Sequence, residues 1–249
     1  TINVWSPGST SGGPRNVAQP PAWIDYDRWL GPAPYHAYTP GRESNSWWWF
    51  ISDYALGFIA GWGVHPLDIA LWGHPAMFSD TMEVEGKAIF PKEGACNTSV
   101  AWDVNFTLAD GVTMAFRGTP NGYKDTNALN DFTEWRNRYG KLDGHGTAFE
   151  GADGWVLVSR GSLRTSPEAL AQDPIDPKPV PLIKSRNHVR NFLDGVRSRG
   201  ATICPIDEAV KADTLCHLSD IATRMNRKLK WNPTKEQFMG DADANKRLE

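Results

Sequence analysis

Several features are scarce in this 249-residue sequence, and each scarcity closes off a class of function. There are three cysteines, Cys96, Cys204 and Cys216. An odd number without paired spacing argues against a disulfide framework and against a zinc site. No apolar run approaches the roughly 20 residues of a membrane span, and Trp47–Ile51 is far too short for one. Neither sign of charge dominates: the formal net charge is −3, which gives no global pull toward nucleic acid or anionic lipid. No strand is followed by Gly-x-Gly-x-x-Gly opening a helix, so the dinucleotide-binding fingerprint is missing. No initiator methionine, basic n-region or secretory h-region stands at the start. The chain opens directly in the alternating run Thr1–Trp5 and is expected to be a fragment, a processed chain or one domain of a longer protein.

What is present is an ordinary globular composition, 40% hydrophobic and 22% charged, with an unusual 12 tryptophans. This length can bury a full core. Tryptophans fill cores, and they also stack on the apolar faces of sugars. After the first strand, residues 6–50 read as a long irregular arm rich in Pro, Gly, Ser and aromatics, with one short helical turn at Trp23–Leu30. Gly57–Trp72 reads as a helix that places Gly61, His65, Asp68 and Trp72 on one face, stopped by Gly73-His74-Pro75.

The period then changes to two. Met82–Phe90 and Val100–Leu108 alternate apolar and polar residues, Asp110-Gly111 is a type I′ hairpin signal, and Val112–Phe116 is the return strand. Further strands are predicted at Thr147–Glu150 and Trp155–Ser159, turned by Asp153-Gly154. Residues 167–181 form a proline-rich connector. Two helices fall within 184–226, the first with Val189, Phe192, Leu193 and Val196 on one face. The polar tail beyond Trp231 is predicted to trail over the surface. The fold class is therefore α+β: an open, mostly antiparallel sheet with one polar face, flanked by helices. Residues 1–249 are read as one domain.

His65 with Asp68 is the sharpest chemical candidate. A histidine takes a hydroxyl proton near neutral pH, and a nearby carboxylate orients it or binds a second hydroxyl. The bland alternative is a satisfied core histidine. Glycine in a helix costs about 1 kcal/mol against alanine, so Gly57, Gly61 and Gly63 point to close approach of a ligand or another backbone. Arg42, Tyr35, His36 and Tyr38 lie in the arm, where they can reach sugar hydroxyls or simply face solvent; Trp48 belongs to the same aromatic segment. Tyr123 and Lys124 can rim a pocket. His145, between two glycines, can contact ligand or be a loop residue. His188 either lines the site or caps its helix, and His217 reads as packing. Asn97-Thr98-Ser99 and Asn105-Phe106-Thr107 match glycosylation patterns, which arise often by chance.

Taken in order, Trp29-Leu30-Gly31-Pro32-Ala33-Pro34, Trp48-Trp49-Phe50 and Gly57-Phe58-Ile59-Ala60-Gly61-Trp62-Gly63-Val64-His65-Pro66-Leu67-Asp68 resemble the C-terminal domain of the Gfo/Idh/MocA oxidoreductases. The segments Phe149–Trp155, Asn187–Arg199 and Lys228–Trp231 agree, so the resemblance spans nearly the whole chain. It implies a dihydrodipicolinate-reductase-like sheet that mediates homo-oligomerisation. It also implies a separate N-terminal domain holding NAD or NADP, and hydride transfer to or from a sugar, sugar acid or cyclitol. In that family's glycine-rich motif the histidine acts as acid/base or binds the reacting hydroxyl; His65 occupies that position, and Asp68 matches the acidic residue after it. Many members carry an aspartate where this sequence has Gly61.

The expectation is a substrate domain with catalytic His65 and Asp68 and substrate contacts at Arg42, Trp48, Tyr123, His145 and His188. It binds a small carbohydrate and takes no metal, nucleic acid or membrane. Alone it holds no NAD(P) and transfers no hydride. Two alternatives stand beside it: a relative that cleaves glycosides through recycled NAD, and a non-catalytic carbohydrate-binding or assembly domain. The family has cytoplasmic and exported members, so the resemblance leaves the compartment open.

Overall fold

The structure is a computed structural model that describes residues 1–119, 129–172 and 184–248. Among these, one sheet holds nine strands: β1 (Ile2–Pro7), β2 (Met82–Ile89), β3 (Ala101–Thr107), β4 (Thr113–Thr119), β5 (Gly146–Glu150), β6 (Trp155–Ser159), β7 (Ser162–Ser166), β8 (Leu229–Asn232) and β9 (Gln237–Phe238). Their order is β7-β6-β5-β1-β4-β3-β2-β8-β9, antiparallel throughout except for the parallel pair β1 and β4. The opening run of the sequence is thus an interior strand, hydrogen-bonded on both edges.

Strand alternation sorts the residues onto two faces. Ile2, Val4, Trp102, Val104, Phe106, Met114 and Phe116 point to one side and pack against helices α3 (Val64–Gly73) and α6 (Ile206–Met225). Each such side chain contributes roughly 1.5–3 kcal/mol on leaving water. The other face is split. Under α4 (Thr133–Tyr139) a second cluster gathers Trp5, Trp135, Phe132 and Tyr139 with Leu157. Beside it, Glu83, Glu85, Asp103, Asn105 and Arg117 alternate with the core residues of β2–β4 and make the polar face.

Three local readings need correction. The segment 57–72 is two helices, α2 (Phe58–Gly61) and α3, broken at Trp62-Gly63, so Gly61 and His65 do not share a helix. A Cβ on Gly63 would lie 2.1 Å from the Ile59 carbonyl oxygen and 2.7 Å from the Phe116 ring, which explains the glycine at the break. The β3–β4 hairpin is not type I′: Leu108 and Val112 pair across a longer loop, and Gly111 (φ 85°) takes the left-handed position. The tail beyond Trp231 does not trail away. β8 and β9 pair, and Trp231, Phe238 and Ala244 are buried in the main core. The helix α5 (His188–Ser198) has the predicted apolar stripe, and its Val189, Phe192, Leu193 and Val196 are exposed.

The arm holds a small core of its own. Tyr26 and Leu30 of α1 (Tyr26–Leu30) pack with Tyr38, Trp29 and Tyr54. No described helix is long and apolar enough to cross a membrane.

Candidate functional site

His65 lies in the first turn of α3, and Pro66, Leu67, Ala70 and Leu71 on the opposite face anchor that helix in the core. The anchoring leaves His65 exposed and Asp68 half-buried on the outer face, as the i, i+3 spacing predicts. The Trp62 ring, at the break before α3, meets the His65 ring edge-on at 5.7 Å. The same indole meets His145 at 5.3 Å. The Arg160 guanidinium lies over it, 5.6 Å from the ring centre. One tryptophan therefore gathers two imidazoles and a guanidinium from three separate parts of the chain. The Thr147 hydroxyl, donating to the Pro66 carbonyl at 2.6 Å, ties β5 to α3 and holds this corner together.

The electrostatics follow from that packing. His65 is held below the ordinary imidazole value, first because its ring is desolvated and then because Arg160 opposes a second positive charge; Asp68 pulls the other way. His145 is lowered for the same two reasons, with His65 adding to the effect and Asp143 opposing it. Asp68 is raised by burial and by the Glu208 carboxylate. The corner thus presents neutral imidazoles near pH 7, which are able to accept protons. The His145 Nε2 is buried and has no hydrogen-bond partner among the described residues.

The structure brings His145 to His65, but it does not gather all of the candidates. Arg42 is buried in the arm, where its Nε donates to the Tyr54 hydroxyl at 2.7 Å and its Nη2 lies 3.9 Å from Asp53. His36 closes the same group by pairing with Asp53 at 3.0 Å. Trp48 stacks on Trp49, ring centres 4.3 Å apart, and Trp49 in turn covers Gly61, 3.3 Å from where a Cβ would be. An indole therefore lies against the position where a family aspartate is often found. The three glycines face protein atoms: Gly57 meets Thr98 and Ser9, Gly61 meets Trp49, and Gly63 meets Ile59 and Phe116. His188 starts the exposed α5, whose cap is Asn187, accepting from the Arg190 amide. Tyr123 and Lys124 lie outside the described residues.

Sequence reasoning missed two features. Arg160 stands alone in the β6–β7 turn, where no motif marks it. His217, read as packing, is instead exposed and paired with Asp213 one turn earlier at 3.5 Å. The i, i+4 spacing on α6 was the available signal. This pair borders a cleft of about 450 Å³ between α2 and α6, whose other wall carries Trp49, Asp53 and Tyr54. Hydrogen bonding from Asp213 pushes His217 above the ordinary imidazole value. Among the described residues no three His, Cys, Asp or Glu side chains converge as a metal site.

Comparison with known proteins adds the family. The Gfo/Idh/MocA oxidoreductase family, C-terminal alpha/beta domain, matches residues 5–132, about half of the chain. A search of curated proteins returned no match. Among solved structures, an NAD-binding protein from Listeria innocua is 16% identical, with a TM-score of 0.46, over 91% of this chain and 54% of its own. The WlbA dehydrogenase from Bordetella pertussis, in complex with NADH and UDP-GlcNAcA, is 9% identical, with a TM-score of 0.49, over 91% and 52%. An aldose-aldose oxidoreductase from Caulobacter crescentus, complexed with glycerol, is 13% identical, with a TM-score of 0.48, over 92% and 54%. The chain spans about half the length of these proteins.

Proposed function

Because the chain belongs to the Gfo/Idh/MocA oxidoreductase family, as its C-terminal alpha/beta domain, we propose that it is the substrate domain of an NAD(P)-dependent oxidoreductase acting on a sugar, sugar acid or cyclitol. The observation that carries this reading is the corner in which Trp62 gathers His65 and His145 beside Asp68. In this reading His65, kept neutral by desolvation and by Arg160, takes the proton of the hydroxyl on the carbon being oxidised. Asp68, following it by three residues, orients the imidazole or accepts a second hydroxyl. His145 contributes a substrate contact beside the same indole.

NAD or NADP supplies the hydride acceptor when bound, and the described residues do not offer it a cradle. The glycine pair closest to the usual pattern, Gly61 and Gly63, follows no strand and is filled by Trp49, Ile59 and Phe116. No step on the cofactor is assigned to this chain. Its share is to bind the carbohydrate and to move a proton at His65. In this reading residues 1–249 act as one substrate and assembly domain, and copies pair through the polar face of β2–β4. A strictly monomeric species by light scattering at high protein concentration would count against that pairing.

The decisive test is His65→Ala in the full-length protein, assayed by NAD(P) reduction across a panel of sugars, sugar acids and cyclitols. Near-complete loss of turnover is expected, and wild-type turnover would remove His65 from the mechanism.

A further inference from the structure

Arg160 is exposed at the edge of the Trp62 corner. The turn between β6 and β7 holds it over the Trp62 indole, and it has no hydrogen bond or carboxylate partner among the described residues. Its neighbours around the Trp62 ring are two histidines, both pushed toward the neutral form, so neither supplies a negative charge to balance it. Asp143, whose charge acts on His145, accepts from the Ser159 hydroxyl at 2.8 Å. Asp68 makes no ion pair with Arg160 and feels the like charge of Glu208. Next to this uncompensated guanidinium is the buried, unpartnered Nε2 of His145. A buried polar atom without a partner is uncommon in a folded protein and calls for an explanation. A ligand oxygen at this corner would satisfy both groups at once.

We propose that Arg160 and His145 together receive the carboxylate of a sugar acid, so that the preferred substrate class is the uronates and related sugar acids rather than neutral sugars or cyclitols. The inference rests on the reading of the His65 corner as the substrate site. A guanidinium offers a planar fork matched to a carboxylate, and charge-assisted hydrogen bonds of this kind are about twice as strong as neutral ones. Trp62 lies under that fork, 5.6 Å from its carbon, and also meets His65. One end of the sugar is thereby fixed by its charge, while the neutral His65 remains available for a hydroxyl. Both imidazoles stay uncharged next to Arg160, so the arginine is the fixed cation of the corner.

The test uses the full-length protein and matched pairs of probes: glucuronate with glucose, galacturonate with galactose, and glucose 6-phosphate as a non-carboxylate anion. Binding is read by calorimetry and turnover by NAD(P) reduction. The expectation is that at least one uronate binds about 10-fold or more tighter than its neutral partner, and that Arg160→Gln removes this preference, bringing the two affinities to within about 2-fold of each other. Arg160→Lys, which keeps the charge and loses the fork, should recover only part of it. NMR titration gives a readout independent of turnover: bound uronate should raise the His145 midpoint in the wild type and not in Arg160→Gln. A neutral sugar favoured over every uronate, or an uronate preference unchanged in Arg160→Gln, would overturn the proposal while leaving a His65-dependent sugar oxidoreductase intact. Preference for the phosphate over both uronates would overturn the carboxylate assignment. Absence of any sugar-dependent turnover or binding would overturn this proposal together with the functional reading beneath it.

Discussion

Two helices of this domain each carry a histidine and a carboxylate one turn apart, and the pairs behave in opposite ways. On α6 the carboxylate comes first: Asp213 reaches His217 four residues on, at 3.5 Å, and holds the imidazole toward its charged form. On α3 the histidine comes first, in the opening turn, where the positive end of the helix dipole disfavours an imidazolium. Asp68 pulls toward the charged form, but desolvation beside Trp62 and the nearby Arg160 outweigh it, and His65 is driven toward its neutral form. Spacing put both pairs in reach of an ion pair. The surroundings decided which histidine is pushed toward its charged form and which toward its neutral form.

The sharpest way to break this comparison is to remove each imidazole in turn. His65→Ala is expected to lower turnover of the full-length protein by about 10²–10⁴-fold, the usual worth of a general base. His217→Ala is expected to change kcat by less than about 10-fold, with any effect seen in KM through the cleft it borders. Equal losses in kcat for the two variants would erase the distinction drawn from their environments.

The second test concerns the backbone that aims His65. Gly63→Ala forces a Cβ against the Ile59 carbonyl and the Phe116 ring, an overpacking that costs about 1–3 kcal/mol. Gly61→Ala meets only the edge of Trp49, at 3.3 Å, and is expected to cost under about 1 kcal/mol. Thermal unfolding of the two variants compares them directly. A Gly63→Ala protein as stable as wild type would show that the break between α2 and α3 does not need its glycine.

The third test separates the two histidines by pH. Activity that needs neutral His65 should hold near pH 7 and fall as pH drops through a midpoint below 6.5. Arg160→Gln removes a positive charge from that neighbourhood, so protonation becomes easier and the acidic limb should move up toward 6.5. His217, already raised, should titrate above 6.5 in both proteins. NMR of the ring protons resolves the two midpoints, and an unmoved His65 midpoint in the variant would remove Arg160 from its control.

Much of this was legible in the sequence, because local periodicity was strong where the core is. The alternation in Met82–Phe90 and Val100–Leu108 placed Val84, Trp102, Val104 and Phe106 inward correctly. The placement of β1 between β4 and β5 was not legible, since pairing across more than a hundred residues depends on the assembled sheet. Residues Ser162–Ser166 carry too few apolar positions to read as a strand, and they pair as β7 because β6 offers an edge. At the candidate site the glycines around His145 signalled a loop that can contact ligand, but its approach to His65 beside Trp62 left no mark in the sequence. Arg160 left no signal, because a single arginine in a turn gains meaning only from the indole beneath it.

The smallest expected effect is the most specific to α6. Asp213→Asn removes the partner that raises His217, so the imidazole midpoint should fall toward 6.5. The sign of the stability change follows from linkage. A histidine raised in the folded state adds stability that is fully present below its unfolded value of about 6.5 and is lost as pH rises through the folded midpoint. Both side chains are more than half exposed, so solvent and salt screen the pair to about 0.3–0.5 kcal/mol. Urea unfolding at pH 5.5 should therefore find Asp213→Asn less stable than wild type by about that amount, with the gap narrowing at pH 9 and in 1 M salt. A gap of equal size at both pH values would mean that Asp213 supports α6 by some route other than His217. The contrast between a histidine pushed toward its charged form and one pushed toward its neutral form would then rest on α3 alone.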